Sequence, residues 1–116
     1  MQLPNGLLKV DDVAIARIVG YAASECYGVV GMVSRNAVLD NINGLLGREN
    51  LGRGVEVHAE KDTLSVDVYI IVSFGVRIIE VARNVIDHVH YAMEKTSGLP
   101  VDRVNVVVQG VRRPTE

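Results

Sequence analysis

The chain has 116 residues, a formal net charge of -2, 48% hydrophobic and 22% charged residues, which fits one globular domain with one core and excludes a disordered chain. Only 4% of residues are aromatic and none is Trp, which excludes a base-stacking single-strand binder, and the acidic balance leaves no footprint for generic nucleic-acid or anionic-membrane binding. One Cys excludes an internal disulfide framework and a Cys-based zinc site. No apolar stretch approaches the ~20 residues that span a bilayer. Met1 to Gly6 carries neither a basic segment nor a signal-type apolar run, so a cytoplasmic protein is expected.

In chain order, Leu7 to Val10 reads as a short strand. Asp11 reads as the N-cap of a helix over 12–26, with Asp12 adding charge suited to its first turn. Ile15, Ile18, Val19, Ala22 and Cys26 mark its apolar face, and Gly28 is placed to end it in a left-handed conformation. Val29 to Val33 reads as a buried strand with a bulge or close approach at Gly31. Residues 34–53 read as a mobile insertion, a flexible loop or a short helix, punctuated by Gly44, Gly47, Gly52 and Gly54.

The clearest local signal is a hairpin. A two-residue loop at Lys61-Asp62 pairs Ala59 with Leu64, Val57 with Val66 and Val55 with Val68, so that one face is wholly apolar. The same register sets Glu56 opposite Asp67, two like charges on the wet face. A second helix is predicted from about Gly75 to Ser97, with Ile78, Val81, Ala82, Val85, Val89 and Ala92 along its stripe. Ile79, Ile86 and Met93 widen that stripe. Gly98 and Pro100 stop the helix. Val104 to Val111 reads as the last strand and 112–116 as a frayed tail.

These elements predict an α+β fold: a single domain over 1–116, with a small mixed β-sheet and two main helices packed on one face. The other face would then carry Tyr69, Ile71, Val107 and Val111, more apolar than a solvated face. Those four residues form the predicted partner-contact surface.

No catalytic, cofactor-binding or metal-binding residues are predicted. His88 and His90 stand roughly 200° apart around a helix and cannot chelate one metal together, whereas helical ligand pairs sit at i, i+4. His58 lies on the wet face of the hairpin. Cys26 sits on an apolar face with no neighbouring base, which fits a buried small hydrophobe better than a nucleophile. Gly44-Leu45-Leu46-Gly47 has the letters of an RNA-binding GXXG loop, but two leucines replace the positive charge such a loop offers to phosphates. Arg112-Arg113 would contribute only ~2 kcal/mol at an anionic lipid surface, too little to anchor a protein alone.

The hydrophobic punctuation resembles a known family. It runs from Gly6-Leu7-Leu8-Lys9-Val10 through Gly28-Val29-Val30-Gly31-Met32, Gly54-Val55-Glu56-Val57 and Val66-Asp67-Val68-Tyr69-Ile70. It closes on Val104-Asn105-Val106, Val108 and Gly110-Val111. This set is similar to the alkaline shock protein, or cell-envelope stress response, family of Gram-positive bacteria, over nearly the whole chain. The resemblance implies a small, non-enzymatic, cytoplasmic binding or scaffold protein in envelope stress or maintenance. It implies self-assembly into homo-oligomers, no cofactor, and membrane association only through a partner such as a membrane-anchored protein. The chain also resembles a compact subgroup encoded beside a dihydroxyacetone-kinase-like enzyme of fatty-acid metabolism, so an accessory or regulatory subunit of a lipid-metabolic enzyme is the alternative. An RNA-binding module is a weaker one. Neither nucleic acid nor direct membrane insertion is expected.

Overall fold

A computed structural model describes residues 12–34, 45–60, 62–97 and 100–113. The elements run α1 (Asp12–Ser24), β1 (Val29–Met32), a 3-10 turn (Arg48–Gly54), β2 (Val55–Glu60), β3 (Thr63–Ser73), α2 (Ile78–Ser97) and β4 (Val101–Arg112). The predicted strand at Leu7 to Val10, the Asp11 cap and residues 35–44 of the predicted loop or short helix lie outside the described residues.

The long strand β3 organises the α+β fold. One of its edges is shared end to end: β2 pairs antiparallel with its first half and β1 with its second. Its other edge pairs in parallel with β4 along almost its full length, so the sheet is mixed. The hairpin register is the predicted one, with Val55, Val57 and Ala59 opposite Val68, Val66 and Leu64. Apolar pairs facing the helices fix it, since a one-residue slip would send all of them to the opposite face.

Leu64, Val66, Val68, Ile70 and Val72 of β3 are fully buried. Above them lie Ile15, Val19 and Ala23 of α1 and Val81, Val85, Val89 and Met93 of α2. The α1 stripe is rotated slightly from the predicted one: Ala23 is buried and Ile18 is 37% exposed. The reason is the approach of the 3-10 turn. A Cβ on Gly20 would stand 2.7 Å from the Leu51 carbonyl oxygen, so this face of α1 meets backbone rather than side chains.

Helix α1 ends at Ser24, two residues before the predicted end, and Gly28 takes the left-handed conformation, at φ +88, in the turn that leads on to β1, where a Cβ would also meet Val81 at 2.6 Å. Helix α2 starts at Ile78 rather than at Gly75, which is held at φ +91 in the turn leaving β3. Strand β4 begins at Val101, three residues before the predicted start, and takes in Arg112 from the predicted tail. The extension follows from β3, whose eleven residues offer an edge to pair along its whole length.

Candidate contact surface

Alternation places Ser65, Asp67, Tyr69 and Ile71 on the face of β3 turned away from the helices. The first half of that face is polar and paired. Glu56 and Asp67 do stand opposite each other, as predicted. Their like charges part diagonally. The Tyr69 hydroxyl donates to Glu56 Oε1 at 2.8 Å. Asp67 accepts from Asn105 Nδ2 at 2.9 Å and lies 3.1 Å from His58 Nε2. Partial burial alone would raise the Asp67 pKa. The hydrogen bonds from Asn105 and His58, with the charges of His58 and Arg103, outweigh that effect and hold it below its ordinary value of 3.8.

The second half is apolar. Ile71 lies between Gly31 of β1 and Gly110 of β4. Its side chain leans over Gly110, where a Cβ would sit 3.4 Å from Ile71 Cδ1, while Leu45 packs over Gly31. This segment is tied down by the Leu46 N–H, which donates to the Met32 carbonyl at 2.8 Å. The predicted exposed face is corrected at Ile71, which is only 7% exposed: its side chain lies over Gly110, and Leu45 fills the space over Gly31 on the other side. Val107 lies opposite Tyr69, and both are half-buried.

Val111 is corrected too. The register between β3 and β4 shifts after Ile70, so that Val111 comes opposite Val72. Paired residues share a face, so Val111 belongs to the helix-facing side, at its end, where it stays 47% exposed. Tyr69, Ile71 and Val107 are therefore brought together and Val111 is separated from them. A shift of this kind leaves no trace in the alternation of Val104 to Val108, although Gly110 is the residue type that marks one.

The other candidates stand apart. His88 Nδ1 lies 2.9 Å from its own helix's Asn84 carbonyl and His90 Nδ1 lies 3.0 Å from Glu94 Oε1, local contacts on the surface of α2. Cys26 is buried. Burial, and then the charge of Glu25, push its thiol pKa up, which keeps it protonated and unreactive. Among the described residues no three His, Cys, Asp or Glu side chains cluster as a metal site would require. None of the described helices is long and apolar enough to cross a membrane. A groove of about 390 Å³, with Arg17 and Arg53 beside Val13 and Val55, lies between α1, the 3-10 turn and β2. Sequence reasoning missed it, because only the tight packing of the turn on Gly20 creates it.

The family whose pattern matches residues 2–113 is the alkaline shock protein 23 family, described by its cell envelope-related function. The chain is 47% identical over 107 residues to the uncharacterized protein YloU of Bacillus subtilis, covering 92% of this chain and 89% of that one. It is 44% identical over 108 residues to the uncharacterized protein Spy1614 of Streptococcus pyogenes, covering 93% and 89%. Among solved structures, a variant of the MamM CTD aligns with a TM-score of 0.50 over 84% of this chain and 94% of its own, at 13% identity. That likeness concerns the fold alone.

Proposed function

Because this chain belongs to the alkaline shock protein 23 family, whose function is cell envelope-related, we propose that it acts there as a non-enzymatic, cytoplasmic binding module for a protein partner. The observation that supports this reading is the apolar strip on the sheet face away from the helices. Leu45, packed over Gly31 of β1, is followed across the face by Ile71 and the Tyr69 ring of β3 and by Val107 of β4. A flat strip of this kind, flanked by the Asp67–Asn105–His58 cluster, has an apolar centre and a polar rim.

The test is crosslinking in intact cells, followed by affinity capture and mass spectrometry. Tyr69→Glu and Val107→Glu are the informative variants, since both positions are half-buried and border the strip. Each should reduce capture of the partner at least ten-fold while the circular dichroism spectrum stays unchanged. Capture of envelope proteins, or of further copies of the chain, in a Tyr69-dependent way supports a scaffold. Near-stoichiometric capture of a soluble lipid-metabolic enzyme would replace the scaffold with a regulatory subunit. Capture that neither variant alters would remove the strip from the interface.

A further inference from the structure

The end of the molecule where β3 and β4 finish carries a second surface, distinct from the sheet face. Strand β4 has twelve residues and so spans about 40 Å. The molecule measures 51 × 29 × 20 Å, so β4 runs close to the long axis and its last residues lie at a narrow end.

Three separate stretches of chain meet there. The Ser73 N–H donates to the Gly28 carbonyl at 2.8 Å, bringing Tyr27 beside the turn that leaves β3. The Phe74 N–H donates to the Arg112 carbonyl at 2.8 Å, bringing in the end of β4. The Arg113 guanidinium lies 4.8 Å from the centre of the Phe74 ring. The turn then enters α2 at Ile78.

The side chains at this end are unusual for a small acidic protein. Tyr27 is 81% exposed, Ile79 70%, Phe74 59% and Ile78 44%. Ile78 and Ile79 line an open groove of about 550 Å³ together with Arg77 and Arg83, and Tyr27 and Phe74 stand out into solvent. Arg77, Arg83, Arg112 and Arg113 stand among them, against Glu25 and Glu80, in a chain whose formal net charge is -2. Arg77 meets Glu80 at 3.5 Å, but both side chains are largely in water, so that pair screens little of the positive charge.

The geometry points to an anionic lipid surface as the occupant of this end. A protein partner would need cavities matched to the protruding Tyr27 and Phe74 side chains. A bilayer interface deforms around them, takes up aromatic and aliphatic groups at headgroup depth, and attracts arginine through its surface charge. The Arg112-Arg113 pair that is too weak alone is joined here by two further arginines and four exposed apolar side chains. The docking is peripheral and reversible, with the sheet axis pointing at the membrane, and it is independent of the protein-contact strip.

Vesicle co-sedimentation of the purified full chain tests this, using phosphatidylglycerol–phosphatidylcholine vesicles against pure phosphatidylcholine. Binding is expected to the anionic vesicles only, and to weaken at least five-fold between 50 and 300 mM salt, roughly as screening of several charges requires. Phe74→Ser with Ile79→Ser, and separately Arg77→Glu with Arg113→Glu, should each reduce it at least ten-fold. All these side chains are largely exposed, and circular dichroism verifies that the variants fold. The chain contains no Trp, so Tyr27→Trp supplies a single reporter whose emission should shift to the blue on anionic vesicles. No binding to anionic vesicles, or binding that neither pair alters, overturns the proposal. So does vesicle-free self-association that the same substitutions abolish, which would assign the end to a second copy. Partner capture through Tyr69 and Val107 is read separately and does not depend on this result.

Discussion

Ile70 and Ile71 are adjacent and identical, point to opposite faces of β3, and are 0% and 7% exposed. They are buried by different means. Ile70 lies within the cluster that α1 and α2 close over the sheet. Ile71 is sheltered by what its neighbours lack: the bare Gly110 lets its side chain lie down on one flanking strand, and the bare Gly31 on the other admits Leu45 beside it. One face is built by adding side chains and the other by omitting them. A fully packed site and a lodged one respond differently to the same change.

Ile70→Ala should break the comparison most strongly. It leaves a void that the surrounding β3 and helix residues cannot fill, and about 2–5 kcal/mol of stability is expected to be lost in urea unfolding. Ile71→Ala should cost about half as much, because Leu45 and solvent can collapse towards the site. An equal loss at both positions would mean that the outer face is as closely packed as the core. Gly110→Ala sharpens the comparison. Its Cβ would sit in ordinary contact with Ile71 Cδ1, and removing a strand glycine should raise stability by about 0.5 kcal/mol. A loss there would show that Ile71 needs the whole gap.

The smallest effect belongs to the polar half of the outer face. The folded-state pKa of Asp67 is lowered, so its contribution is present above its ordinary value of 3.8 and is lost as the pH falls through the lower folded-state value. Asp67→Asn should therefore flatten the dependence of stability on pH between about pH 2 and 5 and leave the curve near pH 7 almost parallel to that of the parent chain. Urea midpoints measured across that range check it.

How much of this was legible in the sequence follows from the range over which each feature is specified. The hairpin was legible to the residue because its register depends on alternation across a two-residue loop, all between Val55 and Val68. The two helices were legible from their stripes, with the α1 stripe rotated where the Leu51 backbone meets Gly20 and the α2 start moved on by the turn at Gly75. The partner-contact residues were legible only in part. Tyr69 and Val107 fall side by side because they precede the register shift, and Val111 follows it. The shelter of Ile71 depends on Gly31, Leu45 and Gly110, which are far apart in the chain. The basic, apolar end escaped for the same reason, since Tyr27, Phe74 and Arg112 converge only through backbone hydrogen bonds. A net charge of -2 also hides a local excess of arginine.

The two edges of β3 also set an order of events in time. The β2 edge closes through a two-residue loop, an event on the scale of about 1–10 μs. The β4 edge must bring together residues such as Asp67 and Asn105, 38 positions apart, with the whole of α2 between them. Closing that loop costs more chain entropy than the hairpin does, and the parallel bonds repay it only once α2 has docked on the sheet. The parallel pairing thus places β4 after the β2–β3 hairpin in the order of joining. In native-state hydrogen exchange, the amides that β4 donates to β3 should open before those of the β2–β3 hairpin.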